Sequence, residues 1–247
     1  MSRVLPILFN TDMVRAILDG RKTVTRRVVK SQQLIGILPD KCKNGMPEEF
    51  LKEKKHMFKP YCDMTDAELI KASYNPPYQS GDILYVRETW HKYKKRVGKG
   101  EGCHIAEFYG YRASIANSED ANEPWHPSIH MPKEAARIWL KAKDVRVERL
   151  QDITEEQALS EGVPDDLDYP ISKVYCPRCR GEGLIGSVGE NLGYMEVDCP
   201  DCYTAIKRFK NLWNSTIKKS DLDCYGWDAN PYVFVIEFMK IDKPEEI

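Results

Sequence analysis

The sequence predicts a mixed α+β fold, a small β-barrel with helices packed at its ends. Three observations carry this. Runs of β-branched and aromatic residues recur at 81–90, 137–153 and 230–241. Between and around them lie segments whose apolar residues fall at helical spacing. The chain of 247 residues is 42% hydrophobic and 30% charged, enough for a substantial core and ordinary for a globular protein.

The elements follow in order. The N-terminal segment reads as a short strand and then a helix that Asn10 or Thr11 can cap. Met13, Val14, Ile17 and Leu18 form its apolar face, and Gly20 is placed to end it in a left-handed conformation. Residues 31–79 are polar and rich in turn formers, and read as a loop-rich insertion. "GDILYVRETW", 81–90, reads as one strand, with Ile83, Tyr85 and Arg87 on one side and Leu84, Val86 and Glu88 on the other. "HKYKKRVGKG" reads as a solvated hairpin segment. In "ARIWLKAKDVRVERLQDI", Ile138, Leu140 and Ala142 alternate, then Val145 and Val147, giving one long or two short strands. "DITEEQALSEGV" is a short helix with a capping box of Thr154 and Gln157, closed by Gly162. "AIKRFKNLWNST" sets Ile206, Phe209, Leu212 and Trp213 on one helical face. "NPYVFVIEFMKI" is dense enough in β formers to sit inside a sheet.

Charge and cysteine usage narrow the function. A formal net charge of -1 argues against a protein that coats nucleic acid through many phosphate contacts, but leaves room for a cleft gripping a few nucleotides. No run of about 18 apolar residues is present, so no membrane span is expected, and no signal peptide is read at the N-terminus. A cytoplasmic protein is the expectation, and there eight cysteines are unlikely as a disulfide framework. Instead, Cys176 and Cys179 ("CPRC") and Cys199 and Cys202 ("CPDC") form C-x2-C-x19-C-x2-C, the spacing of one structural Zn2+ bound by four thiolates. The stretch 171–204 is therefore expected to be an inserted zinc ribbon, and "CPRCRGEG" resembles half of the zinc-binding repeat of J-domain cochaperones.

Two further stretches point to a site. "DGRKTVTRRVVK" concentrates Arg21, Lys22, Arg26 and Arg27 around Thr23 and Thr25, where a helix ends. A lysine beside hydroxyls and arginines is suited to an anion or nucleotide; a solvated turn is the plainer alternative. Glu88 shares the inward register of Leu84 and Val86, and a buried carboxylate needs a partner, for which Lys22 is a candidate.

"GRKTVTRR" fits the G-x-K-x-x-T-x-R signature of the ASCH domain, a relative of the PUA RNA-binding fold, with Gly20, Lys22, Thr25 and Arg27 at its four positions. Residues 3–30, 80–162 and 205–241 resemble that domain as found in phages and prophages. The resemblance implies a PUA-like domain from 1–30, 80–170 and 203–247, with a cleft between the basic turn and the strand carrying Glu88. One branch of the family removes the acetyl group from acetylcytidine with a lysine, a threonine and a glutamate. Carried over, these are Lys22, Thr25 and Glu88 as catalytic residues. Arg21, Arg26, Arg27, Arg87, Trp90, Ser128 and His130 would then contact nucleic acid. Arg27 and Arg87 have an alternative role as partners of buried carboxylates, and the 126–132 loop has one in packing.

Three readings follow. The first is a protein binding RNA, single-stranded nucleic acid or a modified nucleoside. The second is a hydrolase of the same fold, an amidohydrolase on an acylated nucleoside or a ribonuclease. The third is an interaction module whose zinc ribbon meets a host or phage protein; exposed apolar surface on the ribbon would favour it.

Overall fold

The computed structural model describes residues 2–29, 76–99, 103–114, 124–164, 176, 178–180, 184–189 and 193–245. The expected insertion at 31–79 lies almost wholly outside them, as do Cys42 and Cys62. The chain is α+β. Strands β1 (Val4–Leu8), β2 (Val24–Val28), β3 (Ile83–Arg87), β6 (Trp139–Arg149) and β9 (Tyr232–Ile241) form one five-stranded sheet in the order β1-β3-β6-β9-β2. Two hairpins stand apart from it: β4 (Trp90–Val97) with β5 (His104–Tyr111), and β7 (Leu184–Gly189) with β8 (Gly193–Asp198). Among the described residues the α-helices are α1 (Thr11–Leu18), α2 (Glu155–Ser160), α3 (Ala205–Thr216) and α4 (Leu222–Tyr225). The expected closed barrel is not what forms: β1 and β2 end the sheet order, and among the described residues no pairing joins them.

The chain divides into two compact units. One comprises Met1–Thr23, Tyr78–Lys143 and Glu237–Ile247, the other Val24–Pro77 and Asp144–Ile236. Strands β6 and β9 contribute residues to both. In β6 Trp139 and Leu140 are both buried, burial then alternates from Leu140 to Ala142, and the alternation resumes one residue out of phase at Val145 and Val147. That shift falls where the strand passes from the first unit to the second.

In the first unit β1 pairs in parallel with β3, which pairs antiparallel with β6 in the register Leu84↔Leu140 and Tyr85↔Trp139. The side chains of Tyr85, Met131, Ala135, Ala136 and Trp139 pack together as a core cluster. Asp82, at the mouth of β3, accepts from Arg3 at 3.1 and 2.5 Å and from the Gln79 amide at 2.7 Å. Burial pushes its carboxyl up, but those donors and the Arg3 charge outweigh burial and hold it below the usual range.

Helix α1 starts as its sequence directs: the Asn10 side chain accepts from the Met13 amide at 2.9 Å. It ends at Gly20, whose φ of +78° is the left-handed C-terminal signal. Space is not what demands glycine there, since a Cβ would meet nothing within 4 Å. The backbone angle is. Gly20→Ala is accordingly expected to lose about 1–2 kcal/mol of stability, measured by urea denaturation; an unchanged midpoint would show that the turn relaxes.

In the second unit α2 carries the expected capping box. The Gln157 amide donates to Thr154 Oγ1 at 3.2 Å and the Thr154 amide to Gln157 Oε1 at 3.3 Å, and Gly162 follows with φ +87°. Helix α3 buries Phe209, Leu212 and Trp213, with Ala205 and Arg208 beside them, while Ile206 is only half-buried.

Candidate functional site

The strongest cluster of metal-ligating chemistry is the cysteine quartet. The two C-x2-C turns flank the β7–β8 hairpin, whose register runs from Leu184↔Asp198 to Gly189↔Gly193. This antiparallel pairing brings residues far apart in sequence together, Cys176 Sγ to Cys199 Sγ at 3.6 Å and Cys179 Sγ to Cys202 Sγ at 3.5 Å. All four sulfurs lie within 4.8 Å of one another, and the residues are at most 4% exposed. Sulfurs at the corners of a tetrahedron around zinc, bonded at about 2.3 Å, stand about 3.8 Å apart. The four thiols fit a metal ion such as zinc. Burial, and next to it the hydrogen bonds among the neighbouring thiols, push the Cys176 and Cys202 thiols up. A divalent cation reverses that balance by favouring thiolates. Four thiolates leave no open position, so an ion here supports structure.

The second cysteine turn is bound to helix α3 at three successive carbonyls. Lys207 Nζ donates to the Pro200 oxygen at 2.6 Å, Asn211 Nδ2 to that of Asp201 at 3.2 Å and Arg208 Nη1 to that of Cys202 at 3.1 Å. Thr204 caps the helix by accepting from the Lys207 amide at 3.3 Å. The turn after Cys179 passes through Arg180 with φ +56°, a left-handed angle in a non-glycine residue. The sequence reading did not single out Arg208. Its signal was available: one cation beside the apolar Ala205, Phe209 and Leu212.

The second candidate site begins where α1 ends. After Gly20 the chain turns back so that the Lys22 amide donates to the Ala16 carbonyl at 3.0 Å. Lys22 is 3% exposed, with its Nζ 5.7 Å from the centroid of the Phe9 ring. A cation at a helix C-terminus sits at the favourable end of the helix dipole. Glu88 is 1% exposed and belongs to the same compact unit. Thr25, 4% exposed, lies in the other unit with Arg26 and Arg27.

The partner that neutralises Glu88 is Arg137, which the sequence reading also missed. Its Nε meets Glu88 Oε1 at 2.8 Å and its Nη2 meets Oε2 at 3.0 Å, a bidentate fork. Arg137 Nη1 donates to Ser114 Oγ at 2.6 Å, and the guanidinium lies 4.1 Å from the centroid of the Tyr111 ring. Burial pushes the Tyr111 phenol up, so it stays a hydroxyl and donates to the Ala135 carbonyl at 2.6 Å. Arg137 is the one charge among the apolar residues Ala135, Ala136, Ile138 and Trp139. That isolation was its signal in the sequence.

The remaining candidates separate by surroundings. Arg26 was expected to touch nucleic acid, but its side chain is 0% exposed. It donates to Glu161 at 3.2 Å, Glu148 at 3.3 Å and Gln157 at 2.9 Å, so its guanidinium holds the second unit together. Arg21 pairs with Asp19 at 3.0 Å, and Arg27 is half-buried. Arg87 donates to the Ile129 carbonyl at 3.2 Å and so holds the turn of Ser128–His130. In that 3-10 turn Ser128 and His130 stand about two-thirds of a turn apart, so they do not share a face. Trp90 was expected to continue the strand of Glu88. Instead β3 stops at Arg87 and Trp90 opens the separate β4–β5 hairpin, packed between Tyr109 and His126 at centroid distances of 5.7 and 5.0 Å.

No protein-family model matches this chain, and the comparisons with curated proteins and with solved structures found no match.

Proposed function

We propose that the chain binds nucleic acid or a nucleoside as an ASCH-type, PUA-like protein, through a site centred on Lys22 and Glu88. The observation that carries this is the burial of two opposite charges, 3% and 1% exposed, in one compact unit. Burying a lysine and a carboxylate in a fold that could hold leucines there is costly even when a charge is partnered, as Glu88 is by Arg137. The "GRKTVTRR" signature supports the same assignment. The ribbon, holding zinc, would support this domain without taking part in chemistry.

The test is to incubate the metal-loaded protein, and Lys22→Ala beside it, with modified nucleosides and short RNAs, following every species by mass spectrometry. Species retained by the wild type and released by the variant identify a binder. Consumption of one acylated nucleoside by the wild type alone identifies an amidohydrolase of the same site, and shortened RNAs identify a ribonuclease. If the two proteins behave alike throughout, Lys22 is not part of a site and the reading falls.

A second reading has its own observation. Leu184 and Val197 are each 38% exposed and Tyr203 is 51% exposed, all in or beside the cysteine ribbon. Apolar surface there favours a protein partner for the ribbon.

A further inference from the structure

The β4–β5 hairpin has two faces, separated by the alternation of its strands. One carries Lys92, Lys94 and Glu107, and there Glu107 pairs with Lys92 and, at 3.9 Å, with Lys94. The other carries His91, Tyr93 and Lys95 on β4, facing Gly110, Phe108 and Ala106 on β5. Along this second face the rings form a row. Trp125 meets His91 at 4.5 Å, His91 stacks on Tyr93 at 5.4 Å, and Tyr93 stacks on Phe108 at 5.8 Å between centroids.

Gly110 makes the row possible, since a Cβ there would stand 1.8 Å from His91 Nε2. His91, 5% exposed, is the most buried ring of the row, and Phe108, 36% exposed, is its open end. Beyond the rings lies Lys95, exposed to solvent. Glu107 is the one carboxylate in 90–97 and 104–111, and it points to the opposite face. The ring face is thus flat, partly open and cationic, with nothing acidic on it among these residues.

We propose that this ring face binds single-stranded nucleic acid, with bases stacking on Tyr93 and Phe108 and the phosphate backbone drawn by Lys95. Charge decides the class of partner. Of the four Lys and Arg residues of β4, Lys95 shares the ring face, while Lys92, Lys94 and Arg96 lie on the other with Glu107, and the two strands together remain net cationic. A polyanion is therefore favoured over an apolar protein surface. Ring geometry decides the form of the polyanion. Exposed aromatics are useful to unpaired bases, whose flat faces are free, whereas a duplex offers only its phosphates and groove edges. The inference stands on the hairpin alone and goes beyond the Lys22–Glu88 reading.

The test uses the full chain and fluorescence anisotropy, with a labelled single-stranded RNA of about 12 nucleotides, a length within the range such sites cover, and the matching duplex. The proteins are the wild type, Tyr93→Leu with Phe108→Leu, Lys95→Ala and Lys22→Ala. The leucine pair keeps apolar bulk on the hairpin while removing the stacking rings, and thermal melting checks that it stays folded. The expected result is preference for the single strand, a loss of about tenfold or more in the leucine pair, and a shallower salt dependence in Lys95→Ala. Lys22→Ala, in the site proposed above, is included to tell the two sites apart.

Four results overturn the proposal: no binding at low salt, equal affinity for duplex, a folded leucine pair with wild-type affinity, or a dimer in solution that Phe108→Leu dissociates. The last would make the face an interface between copies. A leucine pair that binds normally while Lys22→Ala fails would remove the hairpin proposal and leave the Lys22–Glu88 site standing; the reverse pattern would do the opposite.

Discussion

Stripping metal from the four-cysteine site is expected to unfold the β7–β8 ribbon and loosen the start of α3. Among the described residues the ribbon's buried cluster consists of Cys176, Cys179, Cys199 and Cys202, with Ile185 packed against it. That is too little apolar area to hold a hairpin, and an isolated two-stranded hairpin is marginal in water. Structural zinc sites of this kind contribute an apparent free energy of about 10–16 kcal/mol near neutral pH, so the ion would dominate the local balance. Disorder should then spread along the carbonyls of Pro200, Asp201 and Cys202 to the Lys207, Arg208 and Asn211 side chains that hold them.

The measurement is metal content by mass spectrometry on the purified protein, then limited proteolysis before and after chelation, with Cys199→Ser as the genetic counterpart. One metal per chain is expected, zinc by the spacing of its ligands. New cleavage should fall between residues 176 and 204. A protein free of metal as purified, with the same proteolysis pattern in Cys199→Ser, would retire the site.

The second large effect belongs to Arg26. Arg26→Met is expected to destabilise the protein by about 3–5 kcal/mol, because it removes the buried cation that bonds Glu161, Glu148 and Gln157. The geometry sets the sign. Arg26 is 0% exposed, its partner Glu161 is 5% exposed and Glu148 is 22% exposed. Water cannot take over the lost bonds to Glu161, while Glu148 still has Arg146 at 2.5 Å.

A compensating change separates this cause from simple loss of packing. Arg26→Met combined with Glu161→Leu removes both charges, and replacing a buried pair by apolar groups of similar size is often close to neutral. Recovery of most of the lost stability in urea denaturation is therefore expected. A single variant that loses under about 1 kcal/mol would mean that Glu161 finds solvent, contrary to its burial. Any change in ligand affinity in Arg26→Met should follow the unfolded fraction, because this guanidinium is not on the surface.

These two sites show what local pattern conveys and what it does not. The cysteine quartet was legible because the spacing C-x2-C is itself the geometry: a tight turn turns two sulfurs to one side, and two such turns make four ligands. The Asn10 cap, the Gly20 turn and the Thr154–Gln157 box were legible for the same reason, since each is made by residues within a few positions of one another. Lys22 and Glu88 were singled out by residue type and alternation, and both prove buried. The partner proposed for Glu88 was another matter. Arg137 lies 49 residues from Glu88, and nothing in either segment encodes their meeting; β3 and β6 must pair before the fork can close.

The sequence by itself determined α1 with its cap and closing glycine, the Thr154–Gln157 box, the α+β class and a cysteine quartet that could hold a metal ion, because periodicity, turn chemistry and short spacing act through neighbouring residues. Only the tertiary structure decided that the sheet is open, that Trp90 leaves the Glu88 strand for a hairpin, and that Arg26 and Arg137 face carboxylates. Each of those depends on which strands pair and which faces they bury, a choice made by the sum of many long-range contacts. An arginine in a basic run looks the same on paper whether it meets a phosphate or a buried glutamate. Burial separates the two, and burial is a property of the whole fold.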